Sequence, residues 1–200
     1  MLKSALLISL ILIGLAFVWC NGPDDGGWYM NASFKAATGQ LPYRDFFFPQ
    51  GPLMVYLFAP VARSANPIMF GRLLAMIMGF TGLMFFCAAV HRQNRGVELV
   101  FLLGILGFPL GIAFLPLIKT HAPVILLLGA GIFVWSKEAN VKAGILFGIA
   151  STLRFSLAPF FSAFLLYNLW QRNFRVLFSL IFPVLWSWST KGVPVSLYYL

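Results

Sequence analysis

The chain has 200 residues, of which 60% are hydrophobic, 17% aromatic and only 10% charged, whereas charged residues make up about a quarter of an ordinary soluble domain. This excludes a soluble globular, disordered or disulfide-stapled protein and points to a polytopic membrane protein. Fourteen Lys plus Arg against five Asp plus Glu give a net charge of +9. In so apolar a chain the excess reads as the Lys/Arg bias that orients helices in a bilayer, not as nucleic-acid binding.

In chain order, Ala5 to Cys20 follows Lys3 and reads as a first span. It is retained, not cleaved, because Trp19-Cys20-Asn21 lacks the small-x-small ending of a secretory signal. Positions 21–65 form a long first extracytoplasmic loop, punctuated by Gly22-Pro23, Gly26-Gly27, Pro42, Pro49 and Gly51-Pro52. Within it the spacing predicts a helix from Trp28 to Thr38 with Gly39 at its C-cap. A short apolar helix from Leu53 to Ala62 is too brief to span and is expected at the interface.

A second span runs from Pro67 to Val90 and ends at the basic turn His91-Arg92-Gln93-Asn94-Arg95. Val97 to Leu115 returns outward, Pro116 to Pro123 is a short outer turn holding Lys119 and His121, and Val124 to Trp135 comes back in. After the turn from Lys137 to Lys142, the stretch from Gly144 to Trp170 reads as two half-length helices meeting at Arg154-Phe155-Ser156. That re-entrant arrangement places Arg172 and Arg175 on the cytoplasmic side with Lys3, Arg92, Arg95, Lys137 and Lys142. Val176 to Ser189 is the last span. The expected fold is therefore an all-α polytopic transmembrane helical bundle, about five full spans plus a re-entrant pair, forming one domain over 1–200 with the loop 21–65 as its active-site loop.

Several features carry little chemistry. Cys20 and Cys87 fall at opposite ends of their spans, too far apart to bridge. His91 and His121 have no ligand at zinc spacing, so no metal site is expected. The GxxxG spacings at Gly107/Gly111 and Gly144/Gly148 read as close helix packing within the chain. There is no Walker loop, dinucleotide fingerprint or GxSxG.

The chemistry concentrates in the loop acids and the intramembrane arginines. Asp24, among Trp28, Tyr29 and the run Phe46 to Phe48, is a carboxylate whose desolvation would poise it as a base. Asp25 suits a helix N-cap as well as a ligand contact. Arg72 and Arg154 fall inside apolar runs, where a charge costs about 2.5–3.5 kcal/mol on insertion scales and so faces a polar cavity or a partner, or snorkels out. Carboxylates and guanidiniums converging at the outer surface suit a phosphate leaving group on a lipid and an attacking hydroxyl.

Pro23-Asp24-Asp25-Gly26-Gly27-Trp28-Tyr29, then Ala36-Ala37-Thr38-Gly39-Gln40-Leu41-Pro42-Tyr43-Arg44-Asp45-Phe46-Phe47 and Gly51-Pro52-Leu53, resembles the first outer loop of GT-C membrane glycosyltransferases, notably those of the protein mannosyltransferase and lipid A aminoarabinose transferase type. Gly144 to Leu166 is similar to the family's glycine-rich helix, basic residue and second apolar helix. The resemblance covers the chain as an N-terminal half, so further spans or a partner subunit are expected to complete it.

It implies inverting transfer of a sugar from a polyprenyl-phosphate donor to a hydroxyl of a lipid, glycan or protein acceptor outside the cytoplasm, in a bacterial inner membrane, with no cofactor. Carried over by position, Asp24 is the catalytic base and Asp45 the second loop carboxylate. Arg154 matches a residue near the donor phosphate, and Asp25, Tyr29, Tyr43, Arg44 and Arg72 are the further candidates for substrate binding. Two positions depart from the pattern: Asp25 stands where the family has Glu, and His121 where it has an Asp, so no metal or acceptor ligand is assigned to that turn. Two other readings stay open: a non-catalytic or fragmentary homologue, and a small transporter or flippase whose path is lined by Arg72 and Arg154.

Overall fold

The computed structural model describes residues 26–93, 116–137, 140–154 and 157–171. Among them stand α1 (Gly26–Ala37), α2 (Leu53–Ala62), α3 (Pro67–Gln93), α4 (His121–Trp135), α5 (Asn140–Leu153) and α6 (Ala158–Trp170). No β-strand forms among the described residues; Pro42 and Phe46 meet in an isolated bridge.

The helix ends follow from local chemistry. Past α1, the Gln40 N–H donates to the Lys35 carbonyl (3.0 Å) and the Gly39 N–H to that of Ala36 (3.0 Å), the two bonds of a Schellman ending. That ending needs a left-handed residue, and Gly39 supplies it at φ +91°. At the start of α3, Asn66 Oδ1 accepts from the Met69 N–H (3.3 Å). Pro67 follows it at the first helical position, where a missing N–H costs nothing.

The principal helix contact is α3 on α4, and α4 in turn packs on α5. Both crossings depend on glycine. A Cβ at Gly82 would lie 2.5–2.6 Å from backbone atoms of Ile125 and Leu126, and one at Gly129 would strike the Gly82 carbonyl. A Cβ at Gly131 would meet the ring of Phe147. α1 and α2 pair beside this stack, and α2 also touches α3 and α5. The main core gathers Phe48, Met54, Val55, Phe58, Ala75, Ile118, Ala122 and Leu153. A second cluster joins Phe147 of α5 to Phe161 and Phe164 of α6, with Phe147 and Phe164 edge-to-face at 4.8 Å.

Among the described residues the expected five-span bundle does not form. Among the described residues one helix, Pro67–Arg92, is long and apolar enough to cross a membrane. α4 has 15 residues, α5 14 and α6 13; at 1.5 Å per residue none exceeds about 23 Å, short of a hydrocarbon core of about 30 Å. The cause is local. The turn before α4 closes through a Lys119 N–H to Leu117 carbonyl bond (2.8 Å), and Ser136 and Lys137 end the helix with a turn. Between α5 and α6 the helix breaks at Arg154, so this stretch forms two short helices, as the spacing around Arg154 predicts, and adds no full span. The expected spans at 5–20, 97–115 and 176–189 lie outside the described residues. On α3, Phe70, Ile77 and Met84 recur at seven-residue spacing and are all exposed, so this helix turns an apolar stripe away from its neighbours.

Gly82→Val should destabilise the detergent-solubilised protein by about 1–3 kcal/mol through overpacking against backbone that cannot yield. At roughly 2–4 °C per kcal/mol for a chain of this size, circular dichroism melting would show the drop. Gly27→Ala, where an added Cβ meets nothing, should hold or slightly raise the melting temperature.

Candidate functional site

The loop between α1 and α2 is built by a compact turn. The Asp45 N–H donates to the Leu41 carbonyl (2.9 Å), and the Tyr43 N–H to that of Phe46 (2.9 Å). Asp45 Oδ2 accepts from the Leu41 N–H (2.7 Å). The Arg44 guanidinium grips the same carboxylate, Nε to Oδ1 at 2.8 Å and Nη2 to Oδ2 at 3.0 Å. This closure holds Tyr43 at φ +69°, a left-handed conformation uncommon for a bulky residue.

The strained tyrosine has a task. Its hydroxyl donates to the Gln50 carbonyl, and burial, followed by the neighbouring Tyr56, pushes its pKa up to about 12, so it stays a donor throughout the physiological range. The Gln50 Nε2–H in turn donates to the Tyr29 hydroxyl oxygen (2.6 Å). Gln50 Oε1 is buried with no hydrogen-bond partner among the described residues. The turn thus fixes Gln50 from two directions and ties it to α1.

Gln50 lines a cavity of about 280 Å³ together with Tyr29, Pro49, Lys119, Thr120, His121, Leu153 and Arg154. Three elements bring these residues together. Gly51 lies so close to the end of α5 that a Cβ there would fall on the Thr152 carbonyl, which sets Pro49 and Gln50 beside Leu153 and Arg154. α4 begins at His121 and carries the preceding Lys119-Thr120 turn to the same place. The first turn of α1 supplies Tyr29.

The lining is basic. Lys119 and Arg154 bring positive charge, and His121 stands at the N-terminus of α4, the positive end of its dipole. Burial, then Arg154, then Lys119 hold the His121 imidazole below its usual pKa. No carboxylate lines the cavity among the described residues, and no group of residues there could hold a metal ion. The hydroxyls of Tyr29 and Thr120 and the Gln50 amide complete a surface suited to an anion bearing hydrogen-bonding groups. At about 280 Å³ the cavity falls just below the usual ~300–1,000 Å³ of small-molecule sites, which leaves room for a small polar group.

The expected site residues are distributed unevenly around it. Tyr29 and Arg154 line the cavity. Tyr43 does not, but it holds Gln50, which does. Asp45 and Arg44 lie outside the lining, bound to each other. The Arg44 hydrogen bond first, then that of the Leu41 N–H, keeps the Asp45 carboxyl below its ordinary range, which weakens it as a base and suits it to hold the turn. Arg72 is buried at 6% exposure in α3; it neither snorkels out nor joins Arg154 in the cavity. Asp24 and Asp25 lie outside the described residues, immediately before α1.

The aromatic run is also divided. Phe48 is buried, stacked on Trp28 at 5.1 Å with Tyr29 edge-on to both, so it packs the fold. Phe47 is 70% exposed. Sequence reasoning missed Gln50, Lys119, Thr120 and His121. Their signal was the run of three polar residues, Lys119-Thr120-His121, between apolar stretches, and a glutamine enclosed by two prolines and a glycine.

No protein-family model, curated protein or solved structure matches the chain. The likeness to the GT-C loop therefore rests on the sequence motifs alone.

Tyr43→Phe should cost about 1 kcal/mol of stability, the net value of one hydrogen bond, and more where the Gln50 carbonyl is left without another partner. Amide exchange measured by mass spectrometry should quicken over 41–52 and stay unchanged in α3 and α4.

Proposed function

We propose that the protein is a membrane glycosyltransferase of the GT-C type, moving a sugar from a polyprenyl-phosphate donor to an acceptor hydroxyl on the extracytoplasmic side with inversion. The observation that carries this reading is the basic cavity containing Arg154, the residue that the sequence resemblance sets near the donor phosphate. Lys119 and Arg154 bind the phosphate, and Gln50, Tyr29 and Thr120 offer neutral hydrogen bonds to the sugar. Asp24, a few positions before Tyr29, accepts the acceptor's proton. The acceptor oxygen attacks the anomeric carbon, the bond to the phosphate oxygen breaks, and its electron pair leaves with the polyprenyl phosphate. Positive charge fixed in advance where negative charge develops lowers that barrier without reorganisation. The apolar helix Pro67–Arg92 anchors the site at the bilayer of the bacterial inner membrane. Asp45 takes part by holding the turn that presents Gln50.

The test is transfer of radiolabelled sugar from polyprenyl-phosphate pentose and hexose donors in membranes containing the protein. Asp24→Asn should lower transfer about 100-fold or more at unchanged membrane abundance, and Arg154→Gln should mainly raise the donor KM. Undiminished transfer by Asp24→Asn removes the assigned base, and a wild-type protein that moves no sugar from either donor overturns the reading.

A further inference from the structure

Gln50 is held at both ends. Its main-chain carbonyl accepts from the Tyr43 hydroxyl, the next residue, Gly51, is pressed against the Thr152 carbonyl, and its Nε2–H donates to the Tyr29 hydroxyl oxygen at 2.6 Å. These contacts set the orientation of the carboxamide. In that orientation its other polar atom, Oε1, is buried and accepts from no group among the described residues. An amide oxygen withdrawn from water keeps its full acceptor strength, and leaving it unmatched costs more than a typical hydrogen bond contributes. The open volume that Gln50 borders is the cavity itself, so a ligand seated there is placed to supply the donor.

We propose that Gln50 reads the transferred sugar: Oε1 accepts a hydrogen bond from one ring hydroxyl, and the site selects sugars with a free hydroxyl at that position over those in which it is absent or capped. This rests on the reading of the cavity as the donor site and names the chemistry that tells one donor from another within it. Such discrimination is stronger than that of an apolar pocket, because an analogue without the hydroxyl leaves a buried polar atom unmatched. Tyr43 is then a positioning residue. It lies outside the lining and acts on the ligand through the Gln50 carbonyl.

The measurement is equilibrium binding by isothermal titration calorimetry on the full chain in neutral detergent micelles, with no acceptor present. The probes are geranyl mannosyl phosphate and geranyl arabinosyl phosphate, each with its set of monodeoxy and monodeoxyfluoro analogues. Fluorine keeps much of the size of a hydroxyl but donates no hydrogen bond, so it separates a group that Oε1 accepts from one that merely fills space. In at least one series, wild type should bind the parent about tenfold or more tightly than the analogue deoxygenated at one particular carbon. The deoxyfluoro analogue at the same carbon should bind as weakly as the deoxy one.

Gln50→Met keeps the length of the side chain and removes the acceptor, so it should bind parent and analogues within about twofold of one another. Tyr43→Phe keeps the proposal falsifiable should Gln50→Met not fold: it leaves the lining intact, loosens the carbonyl anchor, and should lower the wild-type preference partway. Binding of neither parent, a wild type indifferent to every deoxygenation, a fluorine that restores binding, or an undiminished preference in Gln50→Met or in Tyr43→Phe overturns the proposal.

The outcome separates from that of the catalytic reading. Asp24-dependent sugar transfer beside a preference that ignores Gln50 overturns the sugar-reading role alone, and Gln50-dependent selective binding without sugar transfer overturns the glycosyltransferase alone.

Discussion

Everything at the cavity depends on how closely backbone can approach backbone. The loop after α1 meets the end of α5 at Gly51, where a single added carbon would occupy the Thr152 carbonyl. That contact brings Gln50, from the first loop, beside Arg154, about a hundred positions later in the chain. The other half of the cavity is set by a second contact of the same kind. Gly82 and Gly129 let α3 and α4 cross with their main chains touching, and α4 then fixes the turn that carries Lys119, Thr120 and His121. Small residues at such crossings gain dispersion contacts and cost backbone entropy. Here they also determine which polar side chains can share one small volume.

The first loop divides its polar residues between holding and presenting. Arg44, Asp45 and the Leu41 N–H satisfy one another at the surface, and the closed turn holds Tyr43 in a conformation that a bulky residue rarely adopts. Strain of this kind costs of order 1–3 kcal/mol and persists only where surrounding contacts over-determine it. The Tyr43 bond to the Gln50 carbonyl and the Gln50 bond to Tyr29 are the contacts in question. A carboxylate locked in such a knot is a poor acceptor for a substrate proton. A glutamine held at backbone and side chain is a well-oriented neutral group in a basic cavity. The Arg44–Asp45 turn thus bears on the cavity through Tyr43 and Gln50, the residues it positions.

What the sequence made legible was governed by local physics. Gly39 marked the end of α1 because only a left-handed residue completes that ending, and the helix from Leu53 to Ala62 was visible as an apolar run between two breaks. Arg154 was visible as a charge inside an apolar stretch. The number of spans was not legible, since an apolar run reads alike whether the helix crosses a bilayer or stops after 15 residues at a polar turn. Lys119 and Thr120 carry no assignment in the sequence and His121 stands out there only as a departure from the GT-C pattern, because their place at the cavity comes from α5 and the first loop arriving beside them. The environment of Asp45 is set by its neighbours in sequence, Arg44 and the Leu41 N–H, and not by a distant part of the fold.

The separation of the two arginines bears on what the cavity is for. A polar path through the protein requires charged groups arrayed along it, and Arg72 and Arg154 were the natural pair to line one. Arg72 is buried in α3 and does not line the cavity, whose basic groups are Arg154, Lys119 and His121. A cluster of cations beside neutral hydrogen-bonding groups favours binding of an anion at that point.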